Sequence, residues 1–203
     1  MKRLVFDAEH EQFRDNVVRF MQAEVGPHVE RFHQQGMVDR ELFRKAGEQG
    51  LLCTWADPKF GGAGIDDFRF EQIIIEENMR HGDIGFYINL HSDLVAPYIA
   101  KLGTEEQQAR WMPGIVSGEQ ILAVAMTEPA AGSDLAGVRT RVEDKGDHWL
   151  STASRPIFQT ASCPISSSSP RAPMRAVAMA WGCSWSSAAC KASSAAADST
   201  KWA

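Results

Sequence analysis

The first 120 residues carry apolar side chains at helical spacing, with capping residues between the apolar runs. Asp7 and Asp39 are N-cap candidates, and the helices that they begin are predicted to end at Gly26-Pro27 and at Gly50. Three further helices are predicted, over Phe70–His81, over Ile84–Leu102 as a buried central helix, and from a capping box of Thr104 and Gln107 to near Gly118. The pattern therefore predicts an all-α domain over residues 1–120.

The hydrophobic period changes after the last of these helices. The run ILAVAM, residues 121–126, is short, apolar and bounded by turn residues, which is typical of a buried strand. Residues 138–143 then alternate, residues 144–147 form a predicted turn, and residues 148–150 begin a return strand. The predicted fold class is therefore α+β, with the helical domain followed over residues 121–150 by the first hairpin of a β-domain.

The composition of the chain changes abruptly near residue 150. Residues 1–150 carry 16 Lys and Arg against 25 Asp and Glu, whereas residues 151–203 carry five Lys and Arg against one Asp. Of these last 53 residues, 26 are Ser or Ala and none is Leu or Glu. Such a segment has too little apolar area to offset the entropy of ordering it. We expect residues 151–203 to form a largely disordered tail.

Charge and cysteine usage exclude several classes of protein. The acidic body argues against nucleic acid as a partner. No run reaches the ~18 apolar residues that a membrane span needs, and the N-terminus has no apolar signal-peptide region, so no membrane span is expected. Cys53 is the one cysteine in residues 1–150, which favours a reducing compartment over a disulfide framework. The predicted location is cytoplasmic.

The stretch ILAVAMTEPAAGS, residues 121–133, places hydroxyls and a glycine directly after the predicted strand. Pro129 fixes φ, and Gly132 permits backbone geometry that a side chain would forbid. Such a loop can aim consecutive N–H groups at an anion or a polar ring edge, while Thr127 and Ser133 add hydroxyls. Taken by itself, the pattern also fits a polar turn that binds nothing.

Other polar groups favour structural roles. His28 and His33 lie five residues apart on a polar segment without a third ligand nearby, which favours exposed side chains over metal binding. No metal site is therefore predicted. Glu76 and Glu77 are interpreted as charges on a helix face or at a partner contact.

The consecutive residues His91, Ser92 and Asp93 have the composition of a catalytic triad. A triad needs its three side chains to converge on one another. Residues adjacent in sequence on a helix point in different directions, so these three are not predicted to form one.

Three segments together resemble the acyl-CoA dehydrogenase family of flavoenzymes. They are AMTEPAAGSD at 125–134, PKFGGAGID at 58–66 and LHSDLVAPYIAKLGTEEQQARWMPGIVSGEQ at 90–120. The resemblance covers residues 1–150 and is greatest to the branch that acts on longer acyl chains. The AMTEP-x-AGSD pattern is specific, whereas GGAG alone is weak. One departure is Ala130-Ala131, where the family often has Gly at the first position.

The resemblance implies FAD as the cofactor, a β-barrel as the second domain, and α,β-desaturation of an acyl-CoA thioester as the reaction. The cofactor-binding residues that it implies are Val124, Ala125, Met126, Thr127, Gly132 and Ser133. Thr127 would bond the polar edge of the flavin, and Ser133 would also face the acyl-CoA substrate. The family's Glu base lies in a C-terminal domain, so no catalytic residue is assigned in this chain. The implied partners are acyl-CoA, an electron-transfer acceptor, and further copies in a tetramer or dimer.

The tail fits the same family in another reading frame. Read one base out of phase, codons for the family segment KTYISNG give the sequence of Arg155–Ala161. Met179–Ala192 and Ser193–Ala203 also back-translate to family-like segments. We interpret the tail as the product of a one-base frameshift near codon 151, in the gene or in its sequencing. The chain is then a truncated fragment, predicted to be inactive because the rest of the cofactor site and the Glu base are missing.

Two other functions stay open on the sequence alone. An acyl-CoA oxidase or a flavin monooxygenase on the same scaffold would share residues 1–150, because oxygen access and the base are determined elsewhere. A non-catalytic truncated paralogue would act as a protein-binding module through an exposed helical face. A Ser/Ala-rich linker is a further interpretation of the tail, which the recovered family frame disfavours.

Overall fold

A computed structural model describes residues 5–81, 85–124, 128–133, 135–139, 141–144, 149–152 and 200–202 of the chain. The chain divides into two compact units, Met1–Ile121 and Leu122–Ala203. Among the described residues, the first unit is helical and the second contains short strands. None of the helices in this described part is both long and apolar enough to cross a membrane.

The helical unit consists of α1 (Ala8–Phe20), α2 (Val29–Gln35), α3 (Arg40–Glu48), α4 (Phe68–His81), α5 (Ala96–Leu102) and α6 (Glu105–Val116). The prediction that Gly26-Pro27 ends the first helical segment is wrong. The chain continues through a π-turn, Met21–Val25, and a 3₁₀ turn, Gly26–His28, into α2. Pro27 is tolerated there because it lies in the first turn of a helical segment, where its missing N–H leaves no acceptor unpaired.

The capping box predicted for the last helix is confirmed. The Thr104 hydroxyl accepts a hydrogen bond from the N–H of Gln107 at 3.3 Å, and the Gln107 side chain accepts one from the N–H of Thr104 at 2.9 Å. The helix ends at Val116, and Gly118 follows with φ 76°. Both ends of α6 therefore follow from local sequence signals.

The two aspartates predicted as N-caps stand at the N-cap positions, but their carboxylates do not accept from the helix N–H groups. Asp7 binds the ring of His10, and Asp39 binds the guanidinium of Arg31 at 3.0 and 2.5 Å. The hydrogen bonds of Asp39 to the charged guanidinium are stronger than a bond to a neutral amide, so Arg31 prevails over the helix N–H groups.

The core of the helical unit is built from the apolar face that the sequence predicts on α1. Val17, Phe20 and Met21 are buried against apolar residues of the later helices, among them Phe43 of α3 and Ile73 of α4. A buried apolar side chain of this size stabilises the fold by about 1.5–3 kcal/mol. This shared core fixes the positions of α1, α3 and α4.

The predicted central helix is helical from Ile88, but it is not uniformly buried. A π-turn, Leu90–Val95, precedes α5, and Pro97 lies in the first turn of α5. One side of this segment is exposed, as shown by Leu94, Tyr98 and Leu102. The interpretation of Ile84–Leu102 as a buried helix is therefore correct for one face and wrong for the other.

The Gly-rich segment PKFGGAGID forms a compact turn. A Cβ on Gly62 would overlap the carbonyl of Ala56, so only glycine fits this close backbone approach. The N–H of Gly64 donates to the same carbonyl at 2.9 Å. The Asp57 carboxylate accepts from the N–H of Lys59 at 2.8 Å and caps the 3₁₀ turn that begins the segment. These hydrogen bonds and the close backbone approach indicate that the segment stabilises the fold.

The apolar run at 121–126 does not begin as a strand. Ile121, Leu122 and Ala123 have no strand pairing, although Leu122, Ala123 and Val124 are buried. A short apolar run signals burial, whereas its periodicity does not distinguish a strand from other buried backbone. The strand prediction is therefore wrong over residues 121–123, and residues 125–127 lie outside the described residues.

The described strands of the second unit are β1 (Arg141–Asp144), β2 (Trp149–Thr152) and β3 (Thr200–Trp202), antiparallel in the order β1-β2-β3. The register pairs Arg141 with Thr152 and Trp149 with Trp202. Five tail residues thus lie in strands although the tail was expected to be disordered. Thr and Trp have high β propensity, which favours such pairing. Residues 153–199 lie outside the described residues, and the β-barrel domain stays a prediction.

Candidate functional site

A tight turn follows the apolar run that the sequence singled out. The N–H of Glu128 donates to the carbonyl of Ala131 at 2.9 Å, and the N–H of Ala131 donates back to the carbonyl of Glu128 at 3.1 Å. Pro129 occupies the second turn position, which its fixed φ suits. The backbone of this turn is therefore determined by its own hydrogen bonds.

The side chain of Glu128 anchors the turn. It is 6% exposed, and its Oε2 accepts from the N–H of Arg139 at 2.6 Å. Burial of a carboxylate is unfavourable unless hydrogen bonds replace its water, so this contact ties the turn to the segment that follows Leu135–Gly137. The sequence analysis assigned no role to Glu128. The signal that could have found it is an acidic residue directly before proline, among apolar and small residues.

Gly132 and Ser133 follow the turn and are exposed. A Cβ on Gly132 would meet no atom of the described residues within 4 Å, and its φ is not positive. The expectation that Gly132 serves a backbone geometry forbidden to other residues is therefore wrong. The N–H groups of both residues have no acceptor within the described residues. Two adjacent N–H donors and a hydroxyl thus lie on exposed residues without an acceptor among the described residues, an arrangement that suits an anion.

The six predicted cofactor-binding residues divide into two groups. Val124 is buried, and it is separated by the turn from the exposed Gly132 and Ser133. Ala125, Met126 and Thr127 lie outside the described residues. The roles of all six stay predictions.

The consecutive His91, Ser92 and Asp93 do not converge, as the sequence analysis predicts. His91 donates from Nε2 to the carbonyl of Ile115 at 3.0 Å, and Ser92 Oγ accepts from the N–H of Cys53 at 3.1 Å. Asp93 faces a glutamate of α4. Burial lowers the pKa of His91 to about 4, so this ring is neutral at physiological pH.

The interpretation of Glu77 as a charge on a helix face is wrong. Its side chain is 1% exposed and accepts hydrogen bonds from Arg14 of α1 and, at 2.8 Å, from Arg80. Arg14 also donates to Glu76 at 3.1 Å. These carboxylates hold α1 against α4. Across the described ranges, no group of three or more His, Cys, Asp or Glu is placed to hold a metal ion.

Comparison with known proteins identifies the family. The family model for the acyl-CoA dehydrogenase N-terminal domain matches residues 7–119, more than half of the chain. The chain belongs to the acyl-CoA dehydrogenase family. The long-chain specific acyl-CoA dehydrogenase, mitochondrial, of Sus scrofa is 44% identical over 158 residues, which cover 78% of this chain and 36% of that protein. The chain therefore spans about a third of the length of this acyl-CoA dehydrogenase.

Solved acyl-CoA dehydrogenases share the fold of the chain. The acyl-CoA dehydrogenase from Geobacillus kaustophilus has a TM-score of 0.73 and 39% identity, covering 77% of this chain and 41% of its own. The acyl-CoA dehydrogenase complexed with FAD from Bacillus anthracis has a TM-score of 0.69 and 27% identity, covering 78% of this chain and 28% of its own. Both similarities extend over the part that carries the helical unit and the start of the second unit.

Proposed function

We propose that the chain is the N-terminal part of an FAD-dependent acyl-CoA dehydrogenase, which introduces an α,β double bond into acyl-CoA thioesters in fatty-acid or branched-acyl catabolism. The observation that carries this proposal is the anchored turn at Glu128–Ala131, which is followed by the exposed Gly132 and Ser133, whose N–H groups have no acceptor among the described residues. Family membership supports it, and a solved relative binds FAD.

FAD, when bound, supplies a two-electron acceptor that no ordinary side chain provides. The residues of this chain hold and orient it. Val124, Ala125, Met126 and Thr127 would lie along the flavin ring, and the Thr127 hydroxyl would bond its polar edge. The N–H groups of Gly132 and Ser133 and the Ser133 hydroxyl would donate to the cofactor pyrophosphate, and Ser133 would also face the thioester end of the substrate. Anion binding by adjacent N–H groups is favourable because their dipoles point in one direction.

The base that removes the Cα proton is assigned to a Glu outside this chain, as in the family. The buried glutamates of the described residues are engaged with other groups: Glu71 with Thr54, Glu77 with Arg14, and Glu128 with the N–H of Arg139. None of them is therefore given the role of base. The chain as written has part of a cofactor site and no base, so we expect it to be inactive as a dehydrogenase.

Restoring the reading frame near codon 151 is expected to restore function. The frame-corrected protein should purify with bound FAD and reduce an artificial electron acceptor in the presence of acyl-CoA, whereas the chain as written should do neither. The assay is flavin absorbance followed by acyl-CoA-dependent acceptor reduction. Turnover by the chain as written would contradict the proposal, and an intact family frame on resequencing the locus would contradict the frameshift.

Replacement of Ser133 tests the anion-binding loop directly. In the frame-corrected protein, Ser133→Ala should weaken FAD binding about tenfold, since loss of one hydrogen bond to a charged group corresponds to roughly 1.5 kcal/mol. The matched control is Ser117→Ala, which removes the hydroxyl of another exposed serine, one bonded to the carbonyl of Gly114. Equal affinities of both variants, measured by flavin fluorescence titration, would remove Ser133 from the site.

Further features of the whole protein belong to the same proposal. An electron-transfer acceptor reoxidises the flavin, and the whole protein assembles as a tetramer or dimer. We propose a cytoplasmic location, because the cysteine usage favours a reducing compartment. The Sus scrofa relative, by contrast, is named as a mitochondrial protein. Fractionation of source cells decides between the two compartments. An acyl-CoA oxidase would instead consume oxygen in step with acyl-CoA, which the same turnover assay detects.

A further inference from the structure

The turn at Cys53–Trp55 is buried and held from two sides. Cys53 has φ 49°, the one positive φ at a non-glycine residue within the described residues. Its N–H donates to Ser92 Oγ at 3.1 Å, and Trp55 Nε1 donates to the carbonyl of Ser92 at 3.0 Å. Backbone in this region is unfavourable for a residue with a side chain and persists only where its surroundings enforce it. The π-turn Leu90–Val95 provides one of these restraints.

The second restraint is the carboxyl group of Glu71 on α4. Its Oε1 accepts from the N–H of Thr54 at 3.1 Å and from the Thr54 hydroxyl at 2.5 Å. Glu71 is itself 4% exposed. These two donors stabilise negative charge on Glu71. The turn is thus clamped between α4 and the π-turn.

Asp93, the next residue of the π-turn after Ser92, has no such donors. Both of its carboxyl oxygens are shielded from solvent, and no N–H or O–H group of the described residues donates to either. The group that faces it within hydrogen-bonding reach is the carboxyl of Glu71. Two ionised carboxylates cannot form a hydrogen bond with each other, because both are acceptors and neither has a proton to donate. A proton between them removes the conflict.

We propose that Glu71 and Asp93 share one proton and that this proton latches α4 to the π-turn around the Cys53–Trp55 turn. The proton lies on Asp93 and is donated to Glu71, because Glu71 already receives two hydrogen bonds from Thr54. Loss of the proton places two facing negative charges in a buried site, which opens the latch.

The electrostatics of the pair agree with this assignment. Burial raises the pKa of Asp93 to about 8, with the facing Glu71 as a further cause. Burial also raises the pKa of Glu71, against the hydrogen bonds from Thr54. No Lys, Arg or His of the described residues shifts either pKa. The nearby Cys53 thiol has a pKa raised by burial, so it stays neutral.

The sign of the pH effect follows from proton linkage. Between the ordinary aspartate pKa of about 4 and the folded value near 8, the folded protein holds a proton that the unfolded chain lacks. The stability contributed by the latch is therefore complete at low pH and is lost as pH rises to about 8. The buried His91 has the opposite effect below about pH 6.5, because its pKa is lowered on folding. Between pH 6.5 and 8 the opposite contribution of His91 amounts to about twofold, so this window reports chiefly on the latch.

The test is denaturant unfolding of the full chain at pH 6.5 and 8, followed by far-ultraviolet circular dichroism. The unfolding equilibrium constant should rise roughly eightfold between these pH values, because a rise of about fifteenfold from the latch is reduced about twofold by His91. Asp93→Asn, which cannot lose a proton, should reduce this rise to less than about twofold. The matched control Asp66→Asn removes an exposed carboxylate and should behave as the parent chain. Equal pH dependence in the parent chain and Asp93→Asn would overturn the proposal.

Infrared spectroscopy of the parent chain provides a second measurement that requires no variant. A protonated carboxyl has a carbonyl stretch distinct from the carboxylate bands. The folded chain should show this stretch at pH 6.5 and lose it as pH rises past 8. If Asp93→Asn fails to fold, this spectrum alone decides whether the shared proton is present. Absence of the protonated band at pH 6.5 would overturn the latch.

Discussion

Replacing Gly118 with alanine is expected to destabilise the helical unit by about 3 kcal/mol. Gly118 has φ 76°, and the left-handed region costs a residue with a side chain roughly 1–2 kcal/mol. In addition, a Cβ would lie 2.5 Å from the carbonyl carbon of Phe43 and would overlap its oxygen. Overpacking of this kind costs about 1–3 kcal/mol, and here the obstacle is backbone that cannot change rotamer. Chemical denaturation followed by circular dichroism measures the loss.

Gly36→Ala is the matched control for this substitution. Gly36 ends α2 with φ 75°, and a Cβ there would meet nothing within 4 Å. It therefore has the same backbone conformation without the steric conflict, and its replacement should cost about 1 kcal/mol. The difference in the free energy of unfolding between the two variants measures the cost of the steric overlap between residue 118, after α6, and Phe43 of α3. Equal losses would show that Gly118 is required only for its conformation.

The parts of the fold that could be predicted are those determined by neighbouring residues. The capping box at Thr104 and the end of α6 near Gly118 follow from signals within a few positions of each other. The apolar face of α1 follows from helical periodicity, and it is buried as predicted. Such signals act through backbone geometry and local hydrogen bonds, so they can be read without the rest of the fold.

The parts that could not be predicted depend on partners distant in sequence. Asp39 stands at a cap position but binds Arg31, and Glu77 on α4 is buried because Arg14 reaches it from α1. The facing of Glu71 and Asp93 likewise arises only when α4 packs beside the π-turn. Each case pairs residues whose contact is created by tertiary packing, which the pattern along one segment does not encode.

The candidate site likewise has features that could be predicted from the sequence and features that could not. The composition of AMTEPAAGSD together with its resemblance pointed to the family, and the turn residue Pro129 is where the pattern places it. The anchor Glu128 was missed, because its partner is the backbone N–H of Arg139, which any residue but proline could supply. The purpose of Gly132 was also misread. Its φ is not positive, and no atom of the residues that the structure describes lies within 4 Å of its Cβ position.

Replacing Arg14 with methionine is expected to destabilise the helical unit by about 3–5 kcal/mol. Arg14 is 15% exposed and binds Glu77, which is 1% exposed. Removing one partner of a buried pair costs this much because it leaves an uncompensated buried charge. Methionine keeps the aliphatic length of the side chain, so the loss reports charge rather than volume. The remaining contacts of Glu77, with Arg80 at 2.8 Å and with His81 at 3.5 Å, compensate little, since these side chains are 54% and 36% exposed and solvent screens the interactions.

Arg19→Met on the same helix is the matched control. Arg19 is exposed, and among the described residues it bonds within α1, to the carbonyl of Asp15 and to the side chain of Asn16. Its replacement should change the free energy of unfolding by less than about 0.5 kcal/mol, as is usual for exposed sites. A double variant, Arg14→Met with Glu77→Met, should recover much of the stability that Arg14→Met loses, because no unpaired charge is left buried. If the double variant is less stable than either single one, the ion pair itself stabilises the packing of α1 on α4.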